Sequence, residues 1–221
     1  MSTILVTGAG RGLGHELARQ YAAEGWRVIG TVRSTQAKLP AGVERQIADL
    51  TDREQTAALG RALRGLPLDV LFCNAGISGK RGMALGSFDY DSWEEVLRVN
   101  LLGAAAVTEA LLANVLAGER KVIAMMSSRL GSIAEASGVT LPYATSKAAL
   151  NMLVKGLAAE LAARGVIVVA LSPGWVRTDM GGASAPLAPE ASVANLRNVI
   201  AGLKQRDSGK FLSHDGSAIP W

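Results

Sequence analysis

Ile4-Leu5-Val6-Thr7-Gly8-Ala9-Gly10-Arg11-Gly12-Leu13-Gly14 opens the chain with an apolar run, a glycine-rich turn and the first turn of a helix. Ile4–Val6 is a short, unbroken apolar run of the kind buried on both faces of a parallel sheet. Beyond the turn, Leu13, Leu17, Ala18 and Tyr21 fall on one side of a helix. The glycines let the backbone turn tightly and come close to a pyrophosphate, and the N-terminal amides of the helix then meet the phosphate charge. A glycine-rich turn with no ligand is the plainer reading. The strand before it and the helix after it favour a nucleotide.

Downstream, the same alternation repeats. Trp26–Val32 reads as a second strand that finishes at Arg33, where a dinucleotide fold chooses its cofactor. An acidic side chain there would bond the ribose 2′-hydroxyl and repel a 2′-phosphate. Arg33 does the opposite, and Arg11 offers a second cation, so the pair points to NADP(H), with NAD(H) possible. Val43–Ala48 is the third strand, ending in Asp49-Leu50, with Asp49 placed to meet the adenine. A helix over Asp52–Leu63 and a strand over Leu68–Cys73 lead into Asn74-Ala75-Gly76 and a loop, Ile77–Tyr90, at the carboxyl end where ligands bind. A long helix from about Asp91 to Leu116 contains Asn100, which an exposed polar position would explain equally well. Lys121–Met126 is the fifth strand and delivers Ser127 and Ser128; Val166–Leu171 is the sixth and ends at Ser172-Pro173-Gly174. Gly181–Pro189, rich in small residues and proline, reads as mobile, followed by a helix over Glu190–Lys204 and a last strand over Lys210–Ser213. Strands alternate with helices throughout. The expectation is one α/β domain over residues 1–221 with a parallel sheet and a short substrate lid near 175–205.

Composition narrows the partners. At 221 residues, 49% hydrophobic and 19% charged, the chain can bury a large core. The net charge of +4 is scattered, with no basic run interleaved with aromatics, so no nucleic acid is expected. No apolar run is read as long enough to span a bilayer and no signal peptide is read, so no membrane partner is expected. The single cysteine, Cys73, fits a reducing cytoplasm, and His15 and His214 stand in no metal-ligand spacing.

The chemistry is carried by Ser127–Lys147, and within it by Tyr143 and Lys147. Positions i and i+4 share a helix face. A lysine there favours the phenolate and lowers a pKa otherwise near 10, which suits a general acid or base. A surface Tyr–Lys pair is the alternative reading of the spacing alone.

Taken together, T-G-x-x-x-G-x-G at Thr7–Gly14, N-A-G at Asn74–Gly76, Asn100, the serine after strand five, Y-x-x-x-K at Tyr143–Lys147 and P-G at Pro173-Gly174 resemble the short-chain dehydrogenase/reductase family. Three further segments look like its small carbonyl-reductase branch, related to the C-factor and Sniffer proteins. They are M-S-S-R-L-G-S-I at Met126–Ile133, P-G-W-V-R-T-D-M-G-G at Pro173–Gly182, and the terminal H-D-G-S-A-I-P-W. The resemblance implies a Rossmann-type doubly wound, seven-stranded parallel sheet of order 3-2-1-4-5-6-7. It also implies hydride transfer between NADPH and the carbonyl of an aldehyde or ketone. The alternatives are an alcohol dehydrogenase working in the oxidative direction and a C-factor-like nucleotide-binding signalling protein. In the implied site Tyr143 donates the proton, Lys147 lowers its pKa and bonds the nicotinamide ribose, Ser128 polarises the substrate oxygen, and Asn100 extends a proton relay. Gly8, Arg11, Gly12, Leu13, Gly14, Arg33, Asp49, Leu50, Asn74, Ala75, Gly76, Tyr143, Lys147, Pro173, Gly174, Val176 and Thr178 are the implied cofactor-binding set. Family members commonly pair through the two long helices, which implies a homo-oligomer.

Departures from the family pattern are also readable. Ser128 lies fifteen residues before Tyr143, two more than the family interval, which would fall on Leu130. Ser128 follows strand five directly, Ser127 should face the other way, and Ser132 is the competing candidate. Cys73 stands where the family often has asparagine. Gly181–Pro189 is short for a lid, which implies an open pocket.

Overall fold

The computed structural model describes all 221 residues and contains one seven-stranded parallel sheet in the order β3-β2-β1-β4-β5-β6-β7. Its strands are β1 (Thr3–Val6), β2 (Arg27–Val32), β3 (Val43–Ile47), β4 (Val70–Cys73), β5 (Val122–Met126), β6 (Ile167–Ser172) and β7 (Phe211–Ser213). The helices are α1 (Gly12–Ala23), α2 (Arg53–Ala62), α3 (Tyr90–Leu97), α4 (Gly103–Ala117), α5 (Leu141–Glu160) and α6 (Pro189–Gly202). The order matches the doubly wound expectation. It reverses between β1 and β4, which opens a crevice at their carboxyl ends.

The alternation of the opening run explains the layers. Leu5 points to one side of the sheet, with Ile29, Leu71, Ile123 and Val168, and meets Leu59 of α2, Leu111 of α4 and Val154 of α5. Ile4 and Val6 point to the other side, with Phe72 and Val169, and meet Leu17 of α1 and Leu196 of α6. Both sides are dry, so every central strand reads as an unbroken apolar run.

Element boundaries move by one or two residues from the sequence expectation, as helix and strand ends do, and the helix expected to continue from Tyr143 to about Arg164 ends at Glu160, with a 3₁₀ turn over Ala162–Arg164. Three differences are more than fraying. The expected single helix over Asp91–Leu116 is interrupted by a π-helical turn, Arg98–Leu102, which joins α3 to α4 and carries Asn100. By length and composition Tyr90–Ala117 could cross a membrane, unlike the sequence expectation, at a mean hydropathy of 1.6. Its Val96, Val107, Leu111 and Val115 are fully buried beneath the sheet, the position of a core helix. Gly181–Pro189 is tied down rather than loose. Gly182 N–H donates to Thr178 O at 2.8 Å, and Trp175 O and Arg177 N–H pair with Leu187 at 3.2 and 2.9 Å.

Candidate active site

Thr7, the residue after β1, organises the turn that follows. Its hydroxyl accepts the N–H groups of Asn74 and Ala75 at 2.9 and 3.0 Å, and Asn74 Nδ2 donates back to Thr7 O at 3.0 Å. The turn between β1 and α1 is thereby stitched to the end of β4. Gly14 allows the closest approach: a Cβ there would lie 2.4 Å from Gly8 O and 2.3 Å from Asn74 Nδ2. Gly12, at φ +56°, has only the Thr178 methyl group within 4.0 Å of where its Cβ would be. That leaves a backbone cradle between the turn and the start of the lid, facing the N-terminus of α1, which is the shape a pyrophosphate needs.

Other members of the expected cofactor set take varied positions. Arg33 is exposed at the end of β2. Arg11 is exposed as well and faces Asp179 across the crevice at 3.6 Å. The Asp49 carboxylate is turned onto Thr51, accepting its N–H at 2.9 Å and its hydroxyl at 2.7 Å, so it stabilises the loop leading to α2. Leu13 and Leu50 are half-buried packing residues, Leu13 against the α1 side and Leu50 against the α4 side of the core. Pro173 O accepts the Ser192 hydroxyl at 2.7 Å, which fixes the strand end to α6, and Val176 is buried opposite Leu187. A Cβ on Gly174, at φ +80°, would lie 2.8 Å from the His214 ring, so the chain passes the ring only as glycine.

The residues expected to carry the chemistry lie where α5, the π turn and the ends of β4 and β5 meet. Lys147 is buried and its Nζ donates to Met126 O at 2.8 Å; the same Nζ is 5.5 Å from the Tyr143 ring centroid. Asn100 is buried, not exposed. Its Nδ2 donates to Ile77 O at 2.9 Å and to Ser146 Oγ at 3.0 Å, and its Oδ1 accepts Ile77 N–H at 2.8 Å. A Cβ on Gly76 would sit 3.2 Å from Asn100 Oδ1 and 3.5 Å from Lys147 Nζ, so the N-A-G turn runs directly past both groups. The widened π turn lets Asn100 reach the β4 loop and α5 at once, a use such turns often have.

The three serines separate cleanly. Ser127 donates to Asn151 Oδ1 at 2.6 Å, and Ser132 donates to Pro220 O at 2.6 Å; both are buried. Ser128 Oγ accepts Leu130 N–H at 3.3 Å, and of the three serines it is the one whose hydroxyl pulls the Tyr143 phenol toward ionisation.

Burial dominates the electrostatics. It pushes the Tyr143 phenol up to about 12, against the pull of Ser128, and pushes the Lys147 ammonium down to about 8. The expected lowering of the phenol by Lys147 is not what governs this site. Desolvation disfavours both charged forms, and the lysine head is turned to a carbonyl rather than to the phenol oxygen. Burial also drives the Cys73 thiol up to about 12, with Thr108 Oγ1 at 3.7 Å, so this cysteine is an inert strand-end residue. Arg129 is paired with Glu135 at 2.9 Å and Arg177 donates to Ala185 O and Pro186 O, which leaves neither turned toward a substrate anion.

Two polar neighbours of these residues were not singled out in sequence. Ser146 and Asn151 are polar residues on the otherwise apolar face of α5, and Asn151 continues the Tyr143–Lys147 spacing by another four residues. That periodic signal was available. Arg81, which donates to Met180 O and so ties the β4–α3 loop to the segment after β6, carries none.

The architecture and these motifs have counterparts. The C-signal protein of Myxococcus xanthus is 42% identical over 156 residues, covering 70% of this chain and 93% of its own. The Sniffer carbonyl reductase of D. melanogaster superposes with a TM-score of 0.93 at 30% identity over 100% of both chains. A short-chain dehydrogenase/reductase from Burkholderia multivorans, solved with bound NADP, superposes with a TM-score of 0.90 at 33% identity, covering 100% of this chain and 99% of that one. A sequence profile of the short chain dehydrogenases matches residues 2–186. The chain therefore belongs to the short-chain dehydrogenase/reductase family, on its C-factor/Sniffer-like branch.

Proposed function

We propose that the protein is a cytoplasmic NADPH-dependent reductase of small aldehydes or ketones. One observation carries the reading: buried Lys147 and Asn100 meet beside the Gly76 backbone, just past the carboxyl ends of β4 and β5, with the Tyr143 ring centroid 5.5 Å from the lysine head. Bound in the crevice, the nicotinamide would supply the hydride. The turn at Gly8–Gly14 would hold its pyrophosphate, and Arg33, with Arg11 released from Asp179, would hold the 2′-phosphate. The NADP bound by the Burkholderia relative supports that choice.

On the protein side, the Tyr143 phenol donates its proton to the carbonyl oxygen as negative charge develops there. The Ser128 hydroxyl donates its one hydrogen bond to the same oxygen, where the negative charge develops. Lys147 supplies the nearby positive charge, held against Met126 O. Asn100 keeps the Ile77 backbone and α5 in register, so the floor of the site does not move when the proton leaves.

The test is oxidation of NADPH over a panel of aldehydes and ketones. Normal NADPH binding with no turnover on any member would overturn the reading. Cofactor choice has its own check. Arg33→Asp removes charge-assisted hydrogen bonds to a phosphate, worth about 1.5–3 kcal/mol, and should shift the NADPH:NADH ratio of kcat/KM by roughly tenfold to a hundredfold toward NADH. An unchanged ratio would remove Arg33 from the phosphate site.

One site serves both directions, so alcohol oxidation with NADP+ is the same proposal run backwards. The likeness to C-signal favours a second reading in which the occupied crevice matters for regulation. In that reading Tyr143→Phe would leave the cellular effect intact. We also read α4 and α5 as the contact surface of a homo-oligomer, on the strength of Leu102 just ahead of α4 and Met152 on α5, both exposed. A sedimentation mass of one chain would remove that reading.

A further inference from the structure

The terminal I-P-W run has no part in the chemistry above, yet its contacts lead straight to it. After β7 the chain turns at His214–Ser217 and comes back antiparallel: Ile219 N–H donates to Phe211 O at 2.9 Å. Ile219 is buried in the larger core cluster. The Trp221 ring stacks on Phe211 at 5.6 Å, with Lys155 Nζ of α5 5.6 Å above it. The backbone oxygens of the last two residues are thereby set at a fixed place beside α5. Both accept hydrogen bonds from the β5–α5 connection. Pro220 O takes the Ser132 hydroxyl at 2.6 Å, and Trp221 O takes the N–H groups of Ile133 and, at 3.4 Å, Ala134.

Ser132 is coupled rigidly to Ser128. A 3₁₀ turn spans Arg129–Gly131, in which Gly131 N–H donates to Ser128 O at 2.8 Å and Ser132 N–H donates to Arg129 O at 3.0 Å. The near side of this turn is already fixed. Asn151 takes the Ser127 hydroxyl and gives its own N–H to Gly131 O at 3.0 Å, and Ser172 Oγ accepts Arg129 N–H at 3.1 Å. A Cβ on Gly131 would lie 2.8 Å from the Lys147 backbone, so the turn is seated hard against α5 just where the lysine emerges. Its far side, Ser132–Ala134, has the tail as its anchor.

We propose that Ile219-Pro220-Trp221 is a clasp that positions the Ser128 turn against Tyr143, with Ser132 as the positioning residue through which it acts. The inference rests on Ser128 being the hydroxyl partner of Tyr143 in the proposed reaction. It gives Ser132, the serine that does not face the phenol, a role through the one that does.

The test compares Ser132→Ala, Trp221→Ala and Trp221→Phe with the wild-type protein. Displacing a reacting group by about an ångström costs up to a hundredfold. The expected result for Ser132→Ala and Trp221→Ala is therefore a roughly tenfold to hundredfold fall in kcat with an unchanged NADPH Kd. Trp221→Phe, which keeps an aromatic ring on Phe211 and the backbone oxygens, should retain the wild-type kcat. Should Trp221→Ala fail to fold, Ser132→Ala removes only a hydroxyl and decides alone. Unchanged kcat in Ser132→Ala, or a loss of thermal stability with full kcat per folded molecule, would overturn the clasp. A second readout needs no turnover: the ring resonance of ¹³C-labelled Tyr143. It should shift in Ser132→Ala, and an unshifted resonance would overturn the clasp. If the wild-type protein reduces no carbonyl, the proposed function fails and this resonance still decides the clasp.

Discussion

Tyr143→Phe is expected to lower kcat for carbonyl reduction by about a hundredfold to ten-thousandfold, the range a positioned general acid contributes, while NADPH binds as before. The substitution keeps the ring and its contacts and removes only the hydroxyl, so fold and crevice survive. Burial holds the phenol near 12, so it is protonated throughout the neutral range and enters carbonyl reduction with its proton in place. In the oxidative direction it must first lose that proton, so alcohol oxidation should climb with pH well above neutrality. Linkage gives an independent mark. A phenol raised from 10 to about 12 keeps its proton in the folded state after the unfolded chain has lost it. Its contribution to stability is complete below pH 10 and is lost as pH rises toward 12. Single-turnover NADPH oxidation and a cofactor fluorescence titration check the kinetic claim. Retention of more than a tenth of the wild-type kcat would show that another group delivers the proton.

What could be read from the chain follows from where the determining contacts lie. The sheet was legible because each central strand is a local apolar run bounded by glycine or polar residues. Ile4-Leu5-Val6 already contains the two-sided burial that the layers realise. The π turn was not, because Arg98–Leu102 is locally an ordinary helical sequence; what widens it is Asn100 bonding Ile77 and Ser146 in other elements. Ser128 could be favoured over Ser132 by adjacency to β5, but only Pro220, distant in sequence, shows how Ser132 is occupied. Asp49 and Arg11 stand where the motifs put them, yet their side chains have taken the nearer partners Thr51 and Asp179. Spacing announced the Tyr143–Lys147 pair and suggested that the lysine tunes the phenol. Desolvation, which has no signature in spacing, turns out to govern both groups.

That desolvation makes Lys147→Met the sharper experiment, since activity should fall with no matching loss of stability. Burial lowers the ammonium from 10.5 to about 8, so near neutrality the folded protein holds a buried charge that the unfolded chain keeps in water. A shift of that size corresponds to a penalty on the order of 3 kcal/mol, present below pH 8 and relieved as pH rises from about 8 to 10.5, because over that window the unfolded chain binds the extra proton. Wild-type stability should therefore rise across the window, and Lys147→Met, with nothing to titrate, should lack that rise. At pH 7 the variant loses a charge-assisted bond to Met126 O, worth about 1.5–3 kcal/mol, and sheds a charge penalty of similar size, so urea midpoints should place it about level with the wild type. Its kcat should nevertheless fall by about a hundredfold to a thousandfold, the usual cost of removing a preorganised group that stabilises developing charge. The wild-type kcat for reduction should itself decline above pH 8, as the ammonium that supports the departing phenol proton is lost, and that limb should be absent from the variant. A Lys147→Met protein with wild-type kcat, or with the same alkaline limb, would leave Tyr143 and Ser128 to act without the lysine charge. A variant that is both inactive and markedly less stable at pH 7 would make Lys147 a packing residue of α5, not a charge retained for chemistry at the expense of stability.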